Sequence, residues 1–294
     1  MSTIKSIRIA TDFSEFSDRA ARRGALLVDD LGLSKGKLVH VQDGPGVRRV
    51  RALLPVIAGL ERNLAEAAEK ALAASVEEVL AATGVTLTPE MGEGNVMDVM
   101  LKGADDSTLV IVGGQGAHAL QDRMLGTTAE RIVRQNTSPT LAVLAPADKP
   151  YRKVLVPVDL SAASAPALRM ARAIAPEARL CLLYAHTPIP AAFGSYSVIT
   201  EHDLSRATGE QEANVRAAME ALRDECGLSA DDVEIITAHD YPARMIMAQI
   251  NDQSADLVVM GKHGDNRVAE WLIGSVTARV LGHATCDVLV VPAS

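Results

Sequence analysis

Two stretches of fifteen residues, GGQGAHALQDRMLGT (113–127) and GKHGDNRVAEWLIGS (261–275), place three glycines and a hydroxyl at the same positions: Gly113, Gly116, Gly126 and Thr127 in one, Gly261, Gly264, Gly274 and Ser275 in the other. They lie 148 residues apart. Asp12 in IRIATDFS and Asp159 in VLVPVDLS are 147 apart, and LAVLAP, ending at Pro146, is matched by VLVVP, ending at Pro292, 146 further on. A near-constant offset along both halves marks a whole-domain repeat. A chain of 294 residues also suits two domains of about 150 residues each. The expected units are 1–147 and 151–294, joined by the short polar segment Ala147-Asp148-Lys149-Pro150.

Each half reads as strands alternating with helices. In the first, strands are expected at 7–11, 37–42, 85–90, 108–112 and 140–145, and helices at 15–31, 57–82, 95–104 and 127–136. In the second, strands are expected near 153–158, 180–185, 232–237, 256–260 and 287–291, and helices near 161–175, 201–226, 242–252 and 275–283. Such alternation builds βαβ crossovers, and hence a parallel sheet with helices on both faces. The apolar runs LVIV and LVVM fit strands covered on both sides. Each half ends in an apolar strand, TLAVLA or DVLVVP, that falls at a sheet edge and needs a cover. The expectation is antiparallel pairing of these two strands about a pseudo-twofold axis, an internal dimer within one chain, with a homodimer as a further step.

Composition narrows the class. The net charge is −8, only 3% of residues are aromatic, and no Lys/Arg-rich run of five or more occurs. General nucleic-acid binding, which draws on a basic patch, is not expected. Three cysteines without a C-x-x-C pair point away from a disulfide framework or a structural zinc. The start, MSTIKSIRIA, lacks a long apolar segment of the signal-peptide kind. No apolar run nears the roughly 18 residues that span a bilayer. A cytoplasmic protein with no membrane span is expected.

The glycine loop leaves the fourth strand and ends at a helix start. In an open parallel sheet, ligands bind beyond the carboxyl ends of the strands, where the strand order reverses. Gly261 and Gly264 suit a sharp turn and close backbone approach to a ligand. Gly274-Ser275 opens a helix whose free N–H groups attract an anion. The Ser275 hydroxyl either caps that helix or donates to a phosphate oxygen, and Gly126-Thr127 matches it in the first half. Asp12 and Asp159 end the first strand of each half. Each carboxylate serves a ribose or a metal, or simply caps the helix that follows; the sequence leaves both readings open. His118 and His263 have no partner at metal-ligand spacing. Lys262, Arg123 and Arg267 either meet phosphates or face water, and Met245, Met247 and Met260 read as core filler.

Taken together, G-x-x-G-x9-G-[S/T] after strand four and Asp at the end of strand one resemble the ATP-binding subclass of universal stress proteins, over the whole chain as two tandem domains. The resemblance implies a Rossmann-like α/β fold of the adenine nucleotide α-hydrolase kind, each domain a five-stranded parallel sheet of order 3-2-1-4-5. It implies ATP, or ADP or AMP, across strands one and four, with Mg²⁺ or Mn²⁺ on the phosphates and Asp12 and Asp159 as metal contacts through water. In the second half it assigns Pro157, Val158 and Asp159 to the adenosine-contacting turn and Ala185 to a backbone position near adenine. Met260, Gly261, His263 and Gly264 match the loop; Gly274, Ser275 and Val276 match the phosphate cradle. In the first half the matching positions are Ala10, Thr11, Asp12, Val41, Val112, Gly113, Gln115, Gly116, Gly126, Thr127 and Thr128. Ala10 replaces the counterpart of Pro157, and Gly114 makes the first loop glycine-richer.

The resulting expectation is a nucleotide-binding stress regulator with at most slow ATP hydrolysis, because no general base or arginine finger is placed by sequence. The alternatives are an adenine-nucleotide-using enzyme of the same fold group and a scaffold without nucleotide. No G-x-x-x-x-G-K-[ST], S-G-G-x-D or H-I-G-H-like motif supports the enzyme.

Overall fold

A computed structural model of the chain describes residues 4–43, 58–114, 126–186, 201–264 and 273–292. The first half runs β1 (Ser6–Thr11), α1 (Glu15–Asp30), β2 (Gly36–Asp43), α2 (Ala58–Thr83), β3 (Thr88–Gly94), α3 (Val96–Leu101), β4 (Thr108–Gly113), α4 (Thr127–Gln135) and β5 (Thr140–Val143). The second runs β6 (Lys153–Pro157), α5 (Ser164–Ile174), β7 (Arg179–His186), α6 (Glu201–Glu225), β8 (Val233–His239), α7 (Pro242–Asp252), β9 (Leu257–Gly261), α8 (Ser275–His283) and β10 (Asp287–Val291).

The strands form a single ten-stranded sheet of order β3-β2-β1-β4-β5-β10-β9-β6-β7-β8. Within each half the order is the expected 3-2-1-4-5, and neighbours pair parallel. The halves meet through β5 and β10, which pair antiparallel with Val288 opposite Ala142, Leu289 opposite Leu141 and Val290 opposite Thr140. Gly113 lies beside Val143, and Gly261 beside Val291. Val143 and Val291 are therefore equivalent, at an offset of 148, and the match of Pro146 with Pro292 is off by two residues. Backbone register, rather than a shared proline, fixes the equivalence. On this register the Leu141–Leu289 pair sits on the pseudo-twofold axis.

Strand alternation sends side chains to both faces. Ile7, Ile9, Leu109, Ile111, Leu141 and Leu289 join one buried cluster, and Val110, Val112, Ala142, Val258, Val288 and Val290 the other. Both clusters draw on both halves, so each layer of core is continuous across the β5–β10 seam. Each fully buried Leu or Ile is worth about 1.5–3 kcal/mol. The three cysteines are buried and free, and burial pushes the Cys181 and Cys286 thiols up to about 12.

α3 ends at Leu101 rather than 104 and β5 at Val143 rather than 145, and two further elements start three residues later than expected. β3 starts at Thr88 rather than 85, because β2 begins at Gly36 and its Lys37 is opposite Thr88. Gly84, at φ 74, closes α2, and Leu87 goes into the core instead of the ladder. Pro89 is tolerated in β3 because this is an edge strand. α5 starts at Ser164, not 161. Leu160 sits at φ 61, and the Ser161 N–H donates to the Asp159 carboxylate at 3.0 Å, which delays the helix.

The segment between the halves is also more tied down than its polar composition suggests. Arg23 on α1 donates from Nη1 to the Lys149 carbonyl at 2.7 Å and from Nε to Asp287 Oδ2 at 3.1 Å. Asp287 is fully buried; it also accepts from the Tyr151 hydroxyl (2.7 Å) and from the N–H groups of Leu144 and Ala145 (2.9 and 3.0 Å). The Arg23 guanidinium lies 4.0 Å over the Tyr151 ring. Burial raises the Asp287 carboxyl above its ordinary range despite these partners.

Candidate functional site

Each half presents one crevice at the carboxyl ends of its first and fourth strands. β1 is flanked by β2 and β4, and β6 by β7 and β9, so the strand order reverses there. Asp12 and Asp159 follow the first strands and are exposed. The glycine loops follow the fourth strands.

The carboxylates have a local task. Asp12 Oδ1 accepts from the Ser14 N–H at 3.1 Å and the Ser14 hydroxyl at 2.5 Å. Asp159 Oδ1 accepts from the Ser161 N–H at 3.0 Å and the Ser164 hydroxyl at 3.3 Å. Neither Asp caps the helix that follows: Ser14 is the N-cap of α1 and α5 has no side-chain cap, so each carboxylate instead ties down the turn that leads into its helix. The other oxygen of Asp159 reaches the opposite wall: a Cβ on Gly264 would lie 2.2 Å from Asp159 Oδ2. Between Asp and helix, both halves hold a large residue in the left-handed region, Phe13 and Leu160, each at φ 61. Such backbone costs about 1–3 kcal/mol per residue and persists only where its surroundings enforce it. Phe13 stacks on the His40 ring at 4.3 Å, and His40 Nδ1 is 2.9 Å from the Thr11 carbonyl.

The first loop glycines are packing residues, and neither supplies a turn that needs positive φ. A Cβ on Gly113 would lie 2.7 Å from the Phe16 carbonyl oxygen, and one on Gly261 would lie 2.8 Å from Ala163 Cβ. Glycine lets the start of α1, or of α5, seat against the end of the fourth strand of its half.

The helix starts differ from an ordinary capped terminus. Gly126 and Gly274 occupy the N-cap positions of α4 and α8, and neither helix has a side-chain cap. Thr127 and Ser275 are the first helical residues and are exposed, so neither caps. The Gly274 N–H donates to the Lys262 carbonyl at 2.9 Å, and the Thr277 hydroxyl donates to the Gly261 carbonyl at 3.0 Å. The Gly126 N–H likewise donates to the Gly114 carbonyl at 2.5 Å. These bonds bring the start of each helix next to the end of the fourth strand, where the first N–H groups of the helix have no intrahelical acceptor.

Around this frame, Val112, Val158 and Met260 are buried, while Ala10, Val41, Pro157, Ala185, Gly261, His263, Gly264 and Val276 are half-buried. Thr128 is exposed beside Thr127. Thr11 is buried, with its hydroxyl oxygen accepting from the Phe13 N–H at 3.1 Å. Gln115, Gly116, His118, Arg123 and Arg267 lie outside the described residues. Lys262 neither faces water nor points to the crevice. It is buried, and its Nζ donates to the carbonyl of Asn136, in the first half, at 3.0 Å. Burial lowers its pKa from the usual lysine range. Among the described residues no group of three or more His, Cys, Asp or Glu is placed to hold a metal ion, and no helix is long and apolar enough to cross a membrane.

Sequence reasoning missed three features of these crevices. Phe13 and Leu160 carried a signal, since D-F-S and D-L-S recur at the same place in the repeat. The destination of Lys262 carried none. The third is a pair of rings at the end of the second crevice: His186 stacks on His239 at 4.6 Å, and His239 Nε2 bonds to Glu212.

Comparison with known proteins agrees with this geometry. The model of the universal stress protein family matches the chain twice, over residues 3–143 and 150–292. A universal stress protein of Synechocystis sp. is 26% identical over 305 residues, covering 97% of this chain and 99% of that one. A universal stress protein of Thermus aquaticus is 32% identical over 143 residues, covering 48% of this chain and 98% of its own length. The crystal structure of a universal stress protein from Archaeoglobus fulgidus superposes with a TM-score of 0.69 at 18% identity, covering 98% of each chain, which supports the fold.

Proposed function

Because the chain belongs to the universal stress protein family, we propose that it is an ATP-binding stress regulator, with one adenine nucleotide across β6 and β9 and a second across β1 and β4. The observation that carries this reading is the start of α8. Its first residue, Ser275, is exposed and the helix has no side-chain cap, it follows the glycine loop that Asp159 touches, and it sits at a switch point of a parallel sheet. Helix N-termini of this kind hold phosphates through backbone N–H groups. Asp159 and Asp12 serve the ribose, Asp159 from the side that faces Gly264. The α4 start repeats the arrangement in the first half, and the domains are read as 1–147 and 151–294. The antiparallel β5–β10 seam supports treating the chain as a pseudo-dimer.

The crevices fit a divalent cation only as a passenger on the triphosphate, because among the described residues no group of three or more His, Cys, Asp or Glu is placed to hold one. Mg²⁺ or Mn²⁺ would be held mainly by phosphate oxygens, with Asp12 or Asp159 reached through water. Hydrolysis is slow on this reading, since the sequence motif places no general base or arginine finger.

Mass spectrometry of the freshly purified, denatured protein should release ATP, ADP or AMP. Calorimetry on Ser275→Ala should show second-site affinity reduced about tenfold to over a hundredfold, the value of one hydrogen bond to a charged group. Unchanged affinity in both Ser275→Ala and Thr127→Ala would end the cradle reading. Turnover above roughly one per second would move the protein to the enzyme class.

A further inference from the structure

The glycine loop of the second half is anchored on the first half. Lys262 lies between Gly261 and His263, inside the loop. Its backbone is part of the cradle: the N–H donates to Val291 at 2.8 Å, and the carbonyl holds the Gly274 N–H at the start of α8. Its side chain leaves the loop, crosses the seam and ends on the Asn136 carbonyl at 3.0 Å. Asn136 is the C-cap of α4. An ammonium there is favourable, because the last carbonyls of a helix carry partial negative charge. Asn136 is itself fixed, since its Nδ2 donates to Thr140 Oγ1 at 2.8 Å and its Oδ1 accepts from the Ser138 N–H at 3.0 Å.

The other end of α4 is the phosphate cradle of the first half, at Gly126-Thr127. One nine-residue helix therefore touches the first site with its N-terminus and the frame of the second with its C-terminus. The link has no mirror image. The residue equivalent to Lys262 is Gly114, which has no side chain, and the equivalent of Asn136 is Ala284.

Resting on the nucleotide reading above, we propose that Lys262 is a positioning residue that couples the two nucleotide sites through α4, so that filling the first site tightens the second. A phosphate held at the N-terminus of α4 fixes that helix. Lys262, anchored to its other end, then loses less freedom when a nucleotide binds beside it in the second half, which is positive cooperativity. The contact is built once, but the coupling acts both ways, because linkage between binding sites is reciprocal.

Calorimetry and equilibrium dialysis with ATP on the full chain test this. Thr127→Ala, which weakens the first site, should also weaken the second, by roughly two- to thirtyfold. Lys262→Met should weaken the second site to a similar extent and, combined with Thr127→Ala, leave it indifferent to the first. Lys262→Arg, which keeps a cation at the helix end, should restore most of the dependence. A residue that only held the loop in shape would weaken the second site without altering its response to Thr127→Ala. The Thr127→Ala arm needs no change at Lys262, so it stands even where Lys262→Met folds poorly. Two functional sites that ignore one another overturn the coupling and leave the nucleotide reading intact. A wild-type chain that binds no adenine nucleotide overturns both.

Discussion

The loops GGQG and GKHG follow equivalent strands in one sheet, yet among their described residues only the second reaches outside its own domain. At one position the first loop has Gly114 and the second Lys262, whose ammonium ends on a residue 126 positions earlier in the chain. The pair of Arg23 and Asp287 is equally one-sided: on the register of the strands its mirror positions are Met170 and Pro139. In a twofold dimer of identical chains, every interface residue is present twice and every contact must be made twice. Joining the halves covalently removes that constraint. The backbone plan stayed symmetric, with Leu141 and Leu289 on the axis, while the charged contacts across the seam became specific to one side. Such contacts favour pairing within the chain over pairing between chains, because only unlike halves complement each other.

The sharpest way to break the comparison is at Asp287. Asp287→Ala leaves Arg23 buried beside an empty acceptor, and losing one partner of a buried pair costs about 3–5 kcal/mol. Urea unfolding should show a loss of this size, and a change below about 1 kcal/mol would show the seam to be held by its apolar strands alone. The packing glycines sharpen the comparison next. Gly113→Ala meets the rigid carbonyl of Phe16, whereas Gly261→Ala meets the Ala163 methyl. Both should destabilise by about 1–3 kcal/mol, with Gly113→Ala the worse, as read from melting temperatures.

The smallest effect expected is one of pH, confined to the second half. Burial, and then the neighbouring His239, lower the pKa of His186 below the usual 6.5, against the opposing pull of Glu212. Below pH 6.5 the unfolded chain therefore binds the proton more readily than the folded one, and stability falls as pH drops towards the folded value. The first half has Gln42 and Glu93 at the two histidine positions. His186→Gln should flatten the dependence of the denaturation midpoint between pH 7.5 and 5.5. An unchanged slope would place its origin elsewhere.

Most of the fold was legible because each strand and helix announces itself locally. TLVIV reads as a buried strand, and the repeat tested every assignment twice. The errors fall where a distant partner or a local turn decides. β3 begins where β2 has a residue to offer it, and α5 begins where Leu160 finishes its left-handed turn. Of the candidate site, the Asp, the glycines and the helix start were legible as a pattern; their tasks were less so. Gly261 and Gly113 look like ligand-approach glycines but are occupied by the packing of a neighbouring helix. The acceptor of Lys262 is a backbone carbonyl, and any residue at 136 would present one, so no sequence pattern points to it.

The buried Asp287 also imposes an order in time. Its acceptor oxygens serve Leu144 and Ala145, made 143 and 142 residues earlier, and Arg23, made 264 residues earlier. Synthesis at about 5–20 residues per second leaves β5 with a bare edge for roughly 7–30 s. During that interval the nascent first half presents a short apolar strand, TLAV, and a cation waiting for its carboxylate. Two neighbouring nascent chains can join at that edge before either second half arrives. The shortness of β5, four residues, limits how firmly such a wrong partner can hold. Asp287 then acts as a late seal, closing the seam only when the chain's own last strand takes its place.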